Sequence, residues 1–91
     1  MYNYNLFIGG SYTKSKSRNK LKIENPATGD IIAEVPDASK ADVDAAVQSA
    51  HHAFYDGRWS KLTPGERSKA IWKLADLLET RIEDFARVES E

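Results

Sequence analysis

Hydrophobic and polar residues alternate in two short stretches in the first half of the chain. In "KLKIE", Leu21 and Ile23 fall on one face and the charged residues on the other, the two-residue period of a half-buried strand. The stretch "IIAEV" resumes this alternation after "NPATGD", whose proline and glycine favour a turn. The pattern predicts strands at about 20–24 and 31–35, joined as a hairpin, and a shorter strand at about 6–9.

The second half of the chain has the period of amphipathic helices. One helix is predicted at about 40–55, where Ser39 and Asp42 have the spacing of a capping box. A second helix is predicted at about 64–89, with Thr63 as its N-cap. Its apolar face is wide, which indicates contact with more than one neighbour. The positions on its main stripe are Ile71, Leu74, Ala75, Leu78, Ile82, Phe85 and Ala86.

The composition is that of a globular protein, with 41% hydrophobic and 30% charged residues in a chain long enough for one small domain. The absence of cysteine excludes disulfides, a thiolate nucleophile and a cysteine-based metal site within these residues. No apolar run approaches the roughly 18 residues of a membrane-spanning helix, and the first residues lack a signal-peptide pattern. We therefore expect a cytoplasmic protein without a membrane partner.

The net charge is −1, but its distribution is uneven, because residues 1–23 carry five basic side chains and no acidic one. With three tyrosines nearby, the run from Lys14 to Lys22 could contact nucleic acid or an acidic partner. The simpler interpretation places Lys20 and Lys22 on the outward face of a strand and the other charges in a solvated connection. We favour this second interpretation and expect no nucleic-acid partner.

The residues form no recognisable catalytic or ligand-binding constellation. His51 and His52 are adjacent on a predicted helix, so they point about 100° apart and suit a shared metal ion poorly. Trp59, just before the second helix, is interpreted as a packing anchor. The sequence therefore predicts no catalytic, cofactor-binding or metal-binding residue. Four carboxylates are interpreted as exposed helix-surface charges: Asp42, Asp44, Glu83 and Asp84.

The order of these segments resembles the amino-terminal region of the aldehyde dehydrogenase superfamily. The segments are "LFIGGSY", "IENPATGDIIAEVP", "SKADVDAAVQSAHHAF" and "WSKLTPGERSKAIWKLADLLETRIEDFARVES". The turn from Asn25 to Gly29 and the final Glu89–Ser90 pair are recurring elements of that family. The resemblance extends from Leu6 to the end of the chain.

The resemblance implies an α/β fold, namely the amino-terminal portion of the aldehyde dehydrogenase fold. In that family, the hairpin and the two helices pack onto a Rossmann-like nucleotide-binding domain that residues 1–91 do not include. The chain is therefore expected to be a partial domain, a fragment of a longer enzyme. Some members of the family hold a monovalent cation partly through a backbone carbonyl near Ile23, but the other ligands have no counterpart here, and no site is predicted.

The activity implied by the resemblance is oxidation of an aldehyde to a carboxylic acid, with NAD⁺ or NADP⁺ accepting the hydride. The family's catalytic cysteine, glutamate and asparagine have no counterpart in these residues, so the segment alone is expected to be inactive. The parent enzyme is expected to be a homodimer or homotetramer. Two alternatives are a stand-alone binding module that uses the Lys14–Lys22 run, and a non-catalytic piece that docks onto a full-length relative.

Overall fold

The computed structural model describes residues 1–91, which form two compact units, Met1–His52 and Ala53–Glu91. Five short strands precede three helices, which confirms the predicted α/β class. The strands are β1 (Tyr2–Asn3), β2 (Leu6–Ile8), β3 (Ser11–Thr13), β4 (Lys20–Glu24) and β5 (Ile31–Pro36). The helices are α1 (Lys40–Tyr55), α2 (Pro64–Glu79) and α3 (Ile82–Ser90). None of these helices is both long enough and apolar enough to span a membrane.

The hairpin of β4 and β5 forms most of a three-stranded sheet. The two strands pair antiparallel, with Ile23 opposite Ala33 and a register shift between Ile23 and Glu24. β1, which the sequence pattern does not predict, pairs parallel to β5 and places Tyr2 beside Ala33. Ala33 is 6% exposed and is the one buried hydrophobic side chain of the chain. The core of the first unit is therefore very small.

A second, two-stranded sheet consists of β2 and β3, paired antiparallel. Gly9 and Gly10 form the turn, with φ of +63° and +84°, the left-handed values that a two-residue hairpin turn requires. The strand predicted at 6–9 therefore ends at Ile8, and the two glycines connect two strands rather than only ending one. Part of the predicted solvated connection is strand β3.

The prediction of a single helix at 64–89 is wrong, because the structure has two helices there, separated by Thr80 and Arg81. The hydroxyl of Thr80 donates a hydrogen bond to the carbonyl oxygen of Leu77 at 2.6 Å. Arg81 has φ −127° and ψ 26°, outside the helical region. Threonine side chains that bond to the preceding turn favour such an interruption. The apolar spacing continues through the break, so periodicity alone does not reveal it.

The start of α2 agrees with its predicted cap. The backbone N–H of Glu66 donates to the hydroxyl of Thr63 at 3.2 Å, and the N–H of Thr63 donates to the Glu66 carboxylate at 2.8 Å. Pro64 occupies the first helical turn, where no intrahelical donor is needed. This reciprocal capping box fixes the first residue of α2.

The Thr63→Ala substitution is expected to lower the helix content of a peptide that spans residues 60–91. Removing the hydroxyl leaves the N–H of Glu66 without its acceptor, a loss of about 1 kcal/mol of helix stability. Far-ultraviolet circular dichroism during heating measures the change. As a control, Ser68→Ala should leave helix content equal or slightly higher, because alanine is the better helix former. Equal helix content in the Thr63→Ala and parent peptides would contradict the assigned cap.

The apolar faces of α2 and α3 are exposed to solvent. No residue of either helix is buried, and the large hydrophobic side chains range from 39% exposed at Leu78 to 70% at Trp72. Trp59, predicted to be a packing anchor, is itself 45% exposed. Contiguous apolar surface of this kind marks a contact site in a soluble protein. The exposed hydrophobic side chains on this face include Ile71, Leu74, Leu77, Leu78, Ile82, Phe85 and Val88.

Candidate functional site

The most constrained polar side chain of the chain is Asp42 at the start of α1. It is 5% exposed, and its carboxylate accepts hydrogen bonds from two separate segments of the chain. Ser39 donates to it through the backbone N–H and through the hydroxyl, both at 2.9 Å. The hydroxyl of Ser15 donates at 2.5 Å and the N–H of Lys16 at 3.0 Å. Asp42 thus joins the start of α1 to the loop between β3 and β4.

These donors explain the electrostatics of Asp42. They hold its pKa well below the usual range, chiefly through the Ser15 hydroxyl and then through the backbone N–H groups of Lys16 and Ser39. Burial acts in the opposite direction but is the weaker influence. The carboxylate therefore stays ionised near neutral pH and serves as a hydrogen-bond acceptor. A group with so low a pKa is poorly suited to general acid–base catalysis at that pH.

The interpretation of Asp42 as an exposed helix-surface charge is wrong. The capping box with Ser39 is present, because the N–H of Asp42 donates to the Ser39 hydroxyl at 3.2 Å. However, the partners Ser15 and Lys16 lie 27 and 26 residues earlier in the chain. The only sequence signal was a pair of serines within a basic run, which does not identify an acceptor so far away.

The loop that carries the basic run is held by its own hydrogen bonds. The N–H of Ser17 donates to the Ser15 hydroxyl at 3.0 Å, and the N–H of Asn19 donates to the Ser17 hydroxyl at 3.1 Å. Asn19 also accepts from the N–H of Asp37 at 2.9 Å. Ser15 and Ser17 are half-buried. The predicted solvated connection is therefore a structured loop with exposed lysine and arginine side chains.

The other candidate residues lie on helix surfaces. His51 and His52 are both exposed on α1, and no group of three or more histidine, cysteine or acidic side chains could hold a metal ion. Asp44 pairs with Lys40 at 2.8 Å, as is usual four residues apart on an exposed helix face. These positions do not come together into a reactive site.

An apolar groove of about 220 Å³ runs between β2 and α1. Three of its side chains are largely exposed: Phe7 at 64%, Val43 at 51% and Val47 at 61%. Together with the exposed faces of α2 and α3, the groove offers apolar surface but no nucleophile and no acid–base pair. The surfaces of this chain are therefore suited to packing.

The family model described as "Aldehyde dehydrogenase family" matches residues 12–91. Phenylacetaldehyde dehydrogenase of Pseudomonas fluorescens is 38% identical over 87 residues, which are 96% of this chain and 17% of that protein. Aminoacetaldehyde dehydrogenase of Pseudomonas aeruginosa is 42% identical over 84 residues, which are 92% of this chain and 17% of that protein. The chain therefore spans about a sixth of the length of these curated relatives.

A crystal structure of Mycobacterium tuberculosis aldehyde dehydrogenase complexed with NAD⁺ has the same fold over this region. It matches 94% of this chain with a TM-score of 0.86 and 39% identity, and the match covers 18% of that protein. The comparisons do not support the alternative of a stand-alone module that binds nucleic acid or an acidic partner through the Lys14–Lys22 run. The chain belongs to the aldehyde dehydrogenase family.

Proposed function

We propose that residues 1–91 are part of an NAD(P)⁺-dependent enzyme that oxidises an aldehyde to a carboxylic acid. The family match over residues 12–91 supports aldehyde oxidation as the reaction, and the similar solved structure holds NAD⁺. NADP⁺ is an alternative hydride acceptor. The relatives are named for different aldehydes, so the substrate is proposed only as an aldehyde.

The role proposed for this segment is to cover the nucleotide-binding part of the enzyme. The observation that carries this role is the exposure of the α2–α3 apolar face, which has no partner within residues 53–91. Burying such side chains stabilises a protein by about 25 cal/mol for each Å² of apolar surface removed from water. The segment gains this stabilisation only when another apolar surface covers it.

The segment alone is proposed to be inactive. It has no cysteine, so the thiolate nucleophile expected for aldehyde oxidation through a covalent intermediate is not among its own residues. Assembly of the parent enzyme as a homodimer or homotetramer and its cytoplasmic location stay predictions.

The proposed function is tested on the native protein. This term means the polypeptide that contains this sequence, as the source organism makes it. An antibody to residues 37–60 identifies that polypeptide and allows its purification. We expect a mass several times 10.2 kDa and aldehyde-dependent formation of NADH or NADPH across a panel of aldehydes. Assays without aldehyde serve as the control. A 10.2-kDa product that reduces neither cofactor with any aldehyde would contradict the proposal.

A further inference from the structure

A polar cleft of about 320 Å³ lies beside the loop that joins β3 and β4. Its lining combines three cationic side chains with hydroxyl and amide groups, and it contains no carboxylate. The cationic side chains are Lys14, Arg18 and Lys20, and the polar ones include Tyr4, Ser17 and Asn19. This composition favours an anionic occupant.

The positive charge of the cleft is only partly compensated within the chain. The Lys20 ammonium group lies 3.8 Å from the Glu34 carboxylate, a long ion pair. Lys14 and Arg18 form no ion pair. The buried carboxylate of Asp42 is not part of the lining and is already surrounded by hydrogen-bond donors. An anion in the cleft would therefore meet two unpaired cations.

The backbone that carries these cations is already fixed. Asp42 holds Ser15 and the N–H of Lys16, while the hydroxyl groups of Ser15 and Ser17 cap the next two turns of the loop. Because Ser17 accepts a hydrogen bond from Asn19, its own hydroxyl hydrogen remains available for donation. A loop ordered before binding loses less conformational entropy when a ligand arrives.

We propose that this cleft binds a small phosphate-bearing anion. A guanidinium and two ammonium groups supply the charge-assisted hydrogen bonds that phosphate oxygens prefer, with arginine able to bind two oxygens at once. Pockets that hold small molecules begin at about 300 Å³, so the volume suits inorganic phosphate or a small phosphate ester. Nucleic acid would need a longer basic track than this group of three cations. The proposal is independent of the catalytic function proposed above.

The test is calorimetric titration of the native protein with inorganic phosphate, at constant ionic strength maintained with sodium chloride. We expect saturable binding that is about tenfold weaker in Arg18→Gln, because a charge-assisted hydrogen bond is lost. Lys14→Gln should weaken binding in the same direction. Lys22→Gln is the matched control, since Lys22 lies on the same strand as Lys20 but outside the cleft, and its affinity should stay within about twofold.

Three results would overturn the proposal. One is the absence of saturable phosphate binding by the native protein. Another is equal weakening by Arg18→Gln and Lys22→Gln, which would mean a diffuse charge effect rather than a site. The third is tighter binding of a single-stranded oligonucleotide than of phosphate, with the steep salt dependence of nucleic-acid complexes.

Discussion

Replacing Asp42 by asparagine is expected to lower the thermal unfolding midpoint of the native protein more than any other carboxylate-to-amide change within residues 1–52. The carboxylate accepts from two backbone N–H groups and two hydroxyl groups. An amide has one acceptor oxygen and adds two donors, so a part-buried N–H of Lys16 or Ser39 loses its partner. Differential scanning calorimetry measures the midpoint.

The control for this change is Asp44→Asn, two residues away on the same helix. Asp44 is exposed and pairs only with Lys40 at the surface, so its replacement should shift the midpoint slightly. Equal shifts for the two variants would show that the contacts of Asp42 contribute no special stability.

The stability difference between the parent protein and Asp42→Asn should also depend on pH. The pKa of Asp42 is lower in the folded protein than in the unfolded chain, so the ionised carboxylate stabilises the fold fully above the unfolded value. The difference should be constant above about pH 5 and should shrink as the pH falls below about 3.9, the ordinary aspartate value. A difference that grows on acidification would contradict this assignment.

The Leu74→Ala substitution, on the exposed face of α2, is expected to lower the unfolding free energy of the native protein strongly. Leu74 is 57% exposed here, so Leu74→Ala should barely change the helix content of the 91-residue chain, and alanine is itself a good helix former. In the native protein, where the proposed nucleotide-binding part covers this face, the same substitution should cost about 2–5 kcal/mol of unfolding free energy. Urea denaturation of the native protein measures that loss.

Lys73→Ala is the control for this comparison, because Lys73 lies about 100° from Leu74 around the helix and off the main stripe. It should have little effect in both the isolated chain and the native protein. A small effect of Leu74→Ala in the native protein, similar to that of Lys73→Ala, would show that this face stays uncovered.

Local signals predicted the elements that local interactions determine. The capping box at Thr63 and Glu66 needs residues three apart in sequence, and the structure contains it. The alternation in β4 and β5 likewise predicted their hairpin. In contrast, β1 consists of two residues whose pairing with β5 is parallel and distant in sequence. No periodicity can be read from two residues, so that strand could not be predicted.

Residue roles that depend on distant partners were also missed. From the sequence alone, Asp42 is interpreted as an ordinary acid on a helix surface. Its partners Ser15 and Lys16 are distant in sequence, and only folding brings them to it. The interruption at Thr80 and Arg81 was missed for a different reason, since the apolar spacing on either side keeps the same period. The family resemblance, by contrast, depended on the order of several short segments and is confirmed by the match over residues 12–91.

Residues 1–91 are expected to depend on the rest of an aldehyde dehydrogenase for their stability. Urea unfolding of the purified 91-residue chain tests this dependence, when it is followed by the fluorescence of Trp59 and Trp72 and by far-ultraviolet circular dichroism. We predict broad transitions that differ between the two probes, because Ala33 is the one buried hydrophobic side chain. A single sharp transition, coincident in both probes and with the denaturant dependence of a complete domain of this size, would contradict the claim.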